Sequence, residues 1–151
     1  MTQITGDGFA DFLHQLTKVG AAMKSFMRQK FREHDVNITF EMLQVLRFLW
    51  EKNGANQQEI ADAILKDKAS LTYLIDNLVR RELVQRTEDS QDRRNKIITL
   101  TKEGEKMKVL INPWIEEMFR VAGKDIPAAL LQNGLTLVEK IYRNLQQEED
   151  R

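Results

Sequence analysis

The sequence contains no cysteine and only two prolines among its 151 residues. The lack of thiols excludes disulfides, thiolate metal sites and cysteine-based redox sensing. No run of about 18 apolar residues occurs, so no segment has the composition of a membrane-spanning helix. The first residues, MTQITGDGFADF, lack the basic and apolar regions of a secretory leader. We therefore expect a cytoplasmic protein without a membrane partner.

Neither charge sign is in excess, because 23 basic side chains balance 23 acidic ones. A net charge of zero neither favours nor excludes a polyanionic partner, since the placement of the charges decides binding. Residues 12–32 hold five cations and no acid, and residues 78–102 hold seven cations against four acids. Each segment is either a solvated face or part of an anion-binding surface, and composition does not separate these alternatives.

Length and hydrophobic content, at 42% of residues, predict one compact domain with a sizeable core. Apolar residues between Phe9 and Phe31 recur at steps of three and four, which is typical of a long amphipathic helix. Part of this stripe has coiled-coil spacing, so it packs either on a second subunit or within the chain. A second helix is predicted after Thr39, ending at Asn53-Gly54.

Two short helices joined by a tight turn are predicted next. Asn56 and Glu59 have the spacing of a capping box, and Asp67 is placed to cap the second helix. Such a pair is typical of a helix-turn-helix that seats its second helix in the major groove of double-stranded DNA, although similar pairs are common in all-α proteins. The outward face of the second helix is small and hydrogen-bonding, and consists of Lys68, Ala69, Ser70, Thr72, Tyr73, Asp76 and Arg80.

A charged loop follows, between two short segments of apolar and β-branched residues. Residues 83–87 and 96–100 predict the two strands of a hairpin. Near the loop tip, Arg93 or Arg94 would enter the minor groove beside the helix, where narrow A·T-rich steps attract guanidinium groups. Asp92 is interpreted as the partner that fixes the direction of Arg94. The alternative is a surface ion pair of little energetic value.

The combined order and spacing resemble the winged-helix core of the MarR family of bacterial transcriptional regulators. The stretch KDKASLTYLIDNLVRRELVQRTEDSQDRRNKIITLTKEG carries patterns similar to that family's recognition helix, L-V-x-R, D-x-R and L-T-x-x-G. Two positions depart from the pattern, because Tyr73 stands where many members carry arginine and Glu82 where glycine is common. The matching residues are Asp67, Ala69, Thr72, Ile75, Asp76, Leu78, Leu83, Val84, Arg86, Asp92, Arg94, Leu100, Thr101 and Gly104.

The resemblance implies a mainly α fold with a small β-hairpin wing, in which a winged helix-turn-helix is flanked by N- and C-terminal dimerisation helices. Residues 1–151 would form a single MarR-like chain, with 39–100 as the DNA-binding region and 9–34 and 101–148 as the dimerisation region. The expected function is a homodimeric repressor on a pseudo-palindromic operator, with half-sites about 10 base pairs or a multiple apart. The expected DNA-binding residues are Lys68, Ala69, Ser70, Thr72, Tyr73, Arg80, Arg86, Asp92, Arg93, Arg94 and Lys96.

The C-terminal third predicts two more helices. Thr101 is placed to cap the first, in which Pro113 should introduce a kink, and Pro127 lies near the start of the second. Their apolar residues, together with those of the first helix, exceed what one small winged domain would cover. A dimer would bury this surface, gaining roughly 25 cal/mol per Å².

Members of the resembled family often bind small aromatic acids or phenols between the dimerisation helices and the winged domain, and binding shifts the DNA-competent population. A similar aromatic effector is expected here, with core packing as the alternative role of the same side chains. The family's peroxide-sensing thiol mechanism is excluded by the absence of cysteine. The candidate lining residues are Phe40, Phe48, Trp50 and Trp114.

The sequence lacks the patterns typical of a catalytic or metal-binding site. His14 and His34 lack the spacing of a ligand pair, so neither a metal nor a cofactor is predicted. No Gly-rich phosphate loop, H-E-x-x-H or G-x-S-x-G pattern is present, and we therefore do not expect an enzyme. The alternative function that stays open is a winged-helix protein-interaction module that does not bind DNA.

Overall fold

The computed structural model describes residues 6–151, and residues 1–5 of the predicted single chain lie outside the described part. The predicted fold class, mainly helical with a small antiparallel β-hairpin, is confirmed. The helices are α1 (Gly6–Glu33), α2 (Phe40–Glu51), α3 (Gln57–Ile64), α4 (Lys68–Arg80), α5 (Lys102–Ala122) and α6 (Ala128–Glu149), and the strands are β1 (Ala55–Asn56), β2 (Val84–Glu88) and β3 (Lys96–Leu100).

Two compact units divide the chain, the first ending at Met118 and the second comprising Phe119–Arg151. Composition alone predicted one compact domain. The division has a physical basis, because none of the residues of α6 is buried. Between residues 6 and 151, no helix is long and apolar enough to cross a membrane.

The hydrophobic core lies in the first unit. Only the C-terminal end of α1 contributes fully buried side chains, namely Met27 and Phe31. The leucines of α2 at positions 43, 46 and 49 face the same interior, as the helical spacing predicted. Full burial of one such side chain is worth about 1.5–3 kcal/mol. The start of α1 makes no comparable contribution, since Leu13, Leu16 and Val19 are exposed.

Side-chain caps start helices α2 to α5, and those of α3, α4 and α5 are the predicted residues. Asn56 accepts a hydrogen bond from the backbone N–H of Glu59, which completes the capping box at α3. The Asp67 carboxylate accepts from the backbone N–H of Ser70 at 2.7 Å and starts α4. Thr39 and Thr101 act in the same way at α2 and α5.

The two prolines of the C-terminal third have the predicted positions relative to the helices. Helix α5 includes Pro113, and α6 begins directly after Pro127. The kink expected at Pro113 stays a prediction, although α5 is assigned as one continuous helix on both sides of it.

The sheet has three strands in the order β1-β3-β2, with antiparallel pairing throughout. The hairpin of β2 and β3 was predicted, and its register pairs Val84 with Leu100 and Glu88 with Lys96. Strand β1 was not predicted, because two residues show no period. Glu82, between α4 and β2, has a φ of 58°, which explains why glycine suits this position in the family that the sequence resembles.

Candidate nucleic-acid interface

The outward face of α4 is exposed at most of the predicted positions. Lys68, Ala69, Ser70 and Arg80 are accessible, and Tyr73 is 66% exposed near the middle of the helix. These side chains form a continuous small and polar surface, because they lie opposite the buried leucines of the same helix. The face has the size and chemistry of a major-groove reading surface.

Thr72, which is among the expected DNA-binding residues, has hydrogen-bond partners within the chain. Its hydroxyl accepts a hydrogen bond from the Gln57 amide at 3.1 Å and donates one to the Lys68 carbonyl at 2.9 Å. The side chain is half-buried and links α3 to α4. Its present contacts therefore serve the geometry of the helix pair.

Arg86 also has an internal partner. Its guanidinium forms an ion pair and hydrogen bond with Asp76 of α4, and its side chain is 29% exposed. The contact holds β2 against α4. Arg86, which was predicted to contact DNA, is therefore engaged in fixing the angle between the wing and the recognition helix.

The wing loop is shaped by two aspartates. Asp92 accepts a hydrogen bond from the backbone N–H of Arg94 at 3.0 Å, and Asp89 accepts one from that of Gln91 at 3.0 Å. Asp92 therefore contacts Arg94 through the main chain, and its expected role in fixing the direction of the Arg94 side chain stays a prediction. Arg93 and Arg94 are both exposed and form no ion pair within residues 6–151.

A groove of about 310 Å³ lies between the start of α4, the start of α3 and the wing; we call it the helix–wing groove. Lys68, Arg94 and Lys96 line it, with the amides of Gln58 and Asn95. None of its lining residues in the described chain is acidic. Arg94 and Lys96 of the wing are thus brought to one positively charged groove with Lys68, which is distant from them in sequence.

The four candidate aromatic residues do not form one crevice. Phe48 and Trp50 line a groove of about 450 Å³ that Phe40 and Trp114 do not line. The indole N–H of Trp50 donates to the carbonyl of Gly104 at 3.0 Å. Trp114 is only 8% exposed and packs edge-on against the Phe31 ring, with 6.3 Å between centroids. The core role considered for these aromatics therefore applies to Trp114.

A larger cavity of about 730 Å³ was not anticipated from the sequence. It lies between the end of α1 and the linker to α2, and Arg28 and Arg32 line it. The only sequence signal for it was the cation-rich composition of residues 12–32. Among residues 6–151, no group of three or more histidines, aspartates or glutamates is arranged to hold a metal ion.

The linker beside this cavity is hydrogen-bonded to the recognition helix. Arg81 Nε donates to the carbonyl of Asn37 at 2.8 Å, and Nη1 of the same arginine donates to the carbonyl of Asn77 at 3.1 Å. The amide of Asn77 donates in turn to the carbonyl of Tyr73 at 2.8 Å. A series of hydrogen bonds therefore connects the linker to the backbone of Tyr73 on the outward face of α4.

A tight helix pair, an exposed polar second helix and a cationic hairpin define the class of winged helix-turn-helix proteins. Residues 38–96 match the model of the MarR family. This segment, which holds the helix pair and the wing loop, is similar to the MarR family.

Two curated relatives illustrate the similarity. The transcriptional regulator HosA of Escherichia coli O127:H6 is 31% identical over 88 residues, which cover 54% of this chain and 65% of HosA. The match thus spans slightly less than two thirds of that relative. The homoprotocatechuate degradative operon repressor of Escherichia coli is 27% identical over 125 residues, which cover 83% of each protein.

Solved structures have the same fold. The Staphylococcus aureus MepR–DNA complex superimposes with a TM-score of 0.79 at 24% identity, covering 94% of this chain and 99% of that one. Bordetella bronchiseptica BpsR, whose DNA binding is regulated by 6-hydroxynicotinic acid, gives a TM-score of 0.75 at 22% identity, covering 85% and 91%.

Proposed function

We propose that this protein is a sequence-specific DNA-binding transcriptional regulator that acts as a homodimer. The observation that carries the proposal is the helix–wing groove, which Lys68 of α4 and Arg94 and Lys96 of the wing line together and which no acidic residue of the described chain lines. The MepR structure, a protein of the same fold on DNA, supports it. In bacteria, such a role belongs in the cytoplasm.

The proposed complex uses residues 39–100. Helix α4 enters the major groove with Tyr73 directed at base edges, and the wing tip enters the adjacent minor groove with Arg93 or Arg94. The Asp76–Arg86 ion pair fixes the angle between these two contacts. Arg80 lies exposed at the end of α4, where a phosphate contact is expected.

The homodimer is proposed to form through residues 9–34 and 101–148. Helix α6 has no buried residue, and large apolar side chains are exposed in both units. A second copy would remove this surface from water and would pair two recognition helices on a two-fold symmetric operator. The exposed side chains are Leu13, Leu16, Val19, Val109, Leu110, Phe119, Val121, Ile126, Leu130, Leu131, Leu135, Leu137, Val138, Tyr142 and Leu145.

A repressor released by a small aromatic acid is the finer form of the proposal. The similarity to an operon repressor and to BpsR supports it. The cavity between α1 and the linker offers Arg28 and Arg32 to a carboxylate, with Asp35 and Glu41 also in its lining. An occupant that shifts the linker would act on α4 through the contact between Arg81 and Asn37, and would change the spacing of the recognition helices.

The test uses a palindromic duplex recovered by selection from random sequence, with fluorescence anisotropy at several salt concentrations. We expect the logarithm of the wild-type affinity to fall linearly with the logarithm of the salt concentration. Arg94→Ala should weaken binding about tenfold or more while the protein stays dimeric, and Arg94→Lys should lose less because it keeps the charge. Asp92→Ala should also weaken binding, since the loop turn at Arg94 loses its hydrogen bond.

The competing function is a winged-helix module for a protein partner. If no sequence is enriched with or without added aromatic acids, and Arg94→Ala changes no measurable property, DNA binding is refuted. A selection that enriches only GC-rich sequence without dyad symmetry would instead refute the proposed two-fold mode of binding.

A further inference from the structure

We propose that the helix–wing groove seats one phosphate of the DNA backbone, held mainly by Lys68 of α4 and Lys96 of β3. This inference rests on the proposed DNA-binding function and deepens it. The bound phosphate would mark the point at which the DNA strand passes from the major groove, contacted by α4, to the minor groove, contacted by the wing. The ligand is a phosphodiester, and the site does not read bases.

Convergence of separate elements makes the groove a site. Lys68 belongs to the first turn of α4, whereas Lys96 opens β3 on the far side of the wing loop. Gln58, from the first turn of α3, adds an amide N–H donor to the same groove. The side-chain amide of Gln58 also donates a hydrogen bond to the Asp62 carboxylate at 2.8 Å, which fixes the orientation of the amide.

The charge of the groove favours an anion. No acidic residue of the described chain lines the groove, and the carboxylates beside it have partners of their own, because Asp67 caps α4, Asp62 accepts from Gln58 and Glu88 pairs with Lys96. Lys68 forms no ion pair within the described chain. A phosphate between two lysines therefore gains charge-assisted hydrogen bonds from both.

Glu88 is an internal competitor for this phosphate. Its carboxylate lies 3.2 Å from Lys96 Nζ across the hairpin, and both side chains are largely exposed. An exposed pair of this kind contributes little to stability, so Lys96 can exchange it for a phosphate at small cost. Glu88 thus limits affinity, because it occupies Lys96 and repels the incoming strand. Glu88→Gln is expected to bind several-fold more tightly.

The test pairs protein variants with duplexes in which one phosphate at a time is replaced by an uncharged methylphosphonate. Replacement of one particular phosphate by methylphosphonate should weaken wild-type binding about tenfold. Lys68→Ala and Lys96→Ala should bind the unmodified duplex more weakly. In each variant, the slope of the logarithm of affinity against the logarithm of salt concentration should be shallower by about one unit. Both variants should be much less sensitive than the wild type to neutralisation of that linkage.

Arg80→Ala is the matched control, since Arg80 is an exposed cation of the same helix outside the groove. It should lose affinity yet remain fully sensitive to the same linkage. Circular dichroism of each variant checks that the fold is retained. If the wild type binds but no linkage is coupled to both lysines, the phosphate site is refuted while the regulator proposal stands. If the wild type binds no duplex, the regulator proposal fails, and this inference fails with it.

Discussion

Gly104 is buried at the start of α5, where its backbone touches the residue that leads into the wing. A Cβ added here would lie 2.1 Å from the carbonyl oxygen of Leu83, which is backbone and cannot swing away. The Gly104 carbonyl also accepts the indole N–H of Trp50. Gly104→Ala should therefore lower the free energy of unfolding by about 2 kcal/mol or more. Urea denaturation followed by tryptophan fluorescence measures this directly.

Glu105→Ala is the control for that variant, because the neighbouring side chain is exposed on the same helical turn. Its unfolding free energy should stay within about 0.5 kcal/mol of the wild type. A Gly104→Ala protein with an unchanged urea midpoint would mean that α5 and the entry to β2 are further apart than the structure has them.

At the scale of elements, the capping of α4 predicts a pH dependence. The backbone N–H of Ser70, and then its hydroxyl, hold the pKa of Asp67 below its ordinary value. A carboxylate with a lowered pKa stabilises the folded state above its unfolded pKa, and this contribution is lost as the pH falls through the folded pKa. Asp67→Asn keeps a capping oxygen but does not titrate. Its melting temperature should fall less steeply than that of the wild type below about pH 4.

Thermal unfolding followed by circular dichroism, from neutral pH down to about pH 3, tests this difference. Some acid dependence should remain in Asp67→Asn, because Lys52, and then the backbone of Asn56, likewise lower the pKa of Glu59 at the start of α3. Parallel curves for the wild type and Asp67→Asn would show that the pKa of Asp67 is the same in the folded and unfolded states.

These elements also show what the sequence could predict. The caps at Asn56 and Asp67 were predictable, because a capping side chain and the backbone N–H that donates to it are three residues apart and the chemistry is local. The hairpin was predictable from two β-rich segments around a polar loop. The pairing of Asp76 with Arg86 was not, since it depends on how β2 folds back on α4. The two-residue strand β1 has no sequence period and owes its existence to β3.

The same limit applies to the candidate site. The sequence identified Lys68, Arg94 and Lys96 individually from their residue types and from the family pattern. That they border one groove without a carboxylate follows only from the packing of α3, α4 and the wing. The cavity beside Arg28 and Arg32 was not predicted, because its walls come from an irregular linker.

At the scale of the whole molecule, the apolar surface of α6 predicts that the chain depends on a second copy. Leu131 is 67% exposed, so Leu131→Glu should leave helix content nearly unchanged while placing a charge in the proposed interface. Gln132→Glu, which adds the same charge at an exposed neighbouring position, is the control. In size-exclusion chromatography with light scattering, Leu131→Glu should approach the 17.7 kDa of one chain, and the control should keep twice that mass.

Loss of the dimer should weaken binding to a duplex with two half-sites by about a hundredfold or more, since each half-site is then bound independently. A wild-type protein that is itself monomeric at the concentrations where it binds DNA would exclude the symmetric arrangement, and the surface of α6 would then need a different partner.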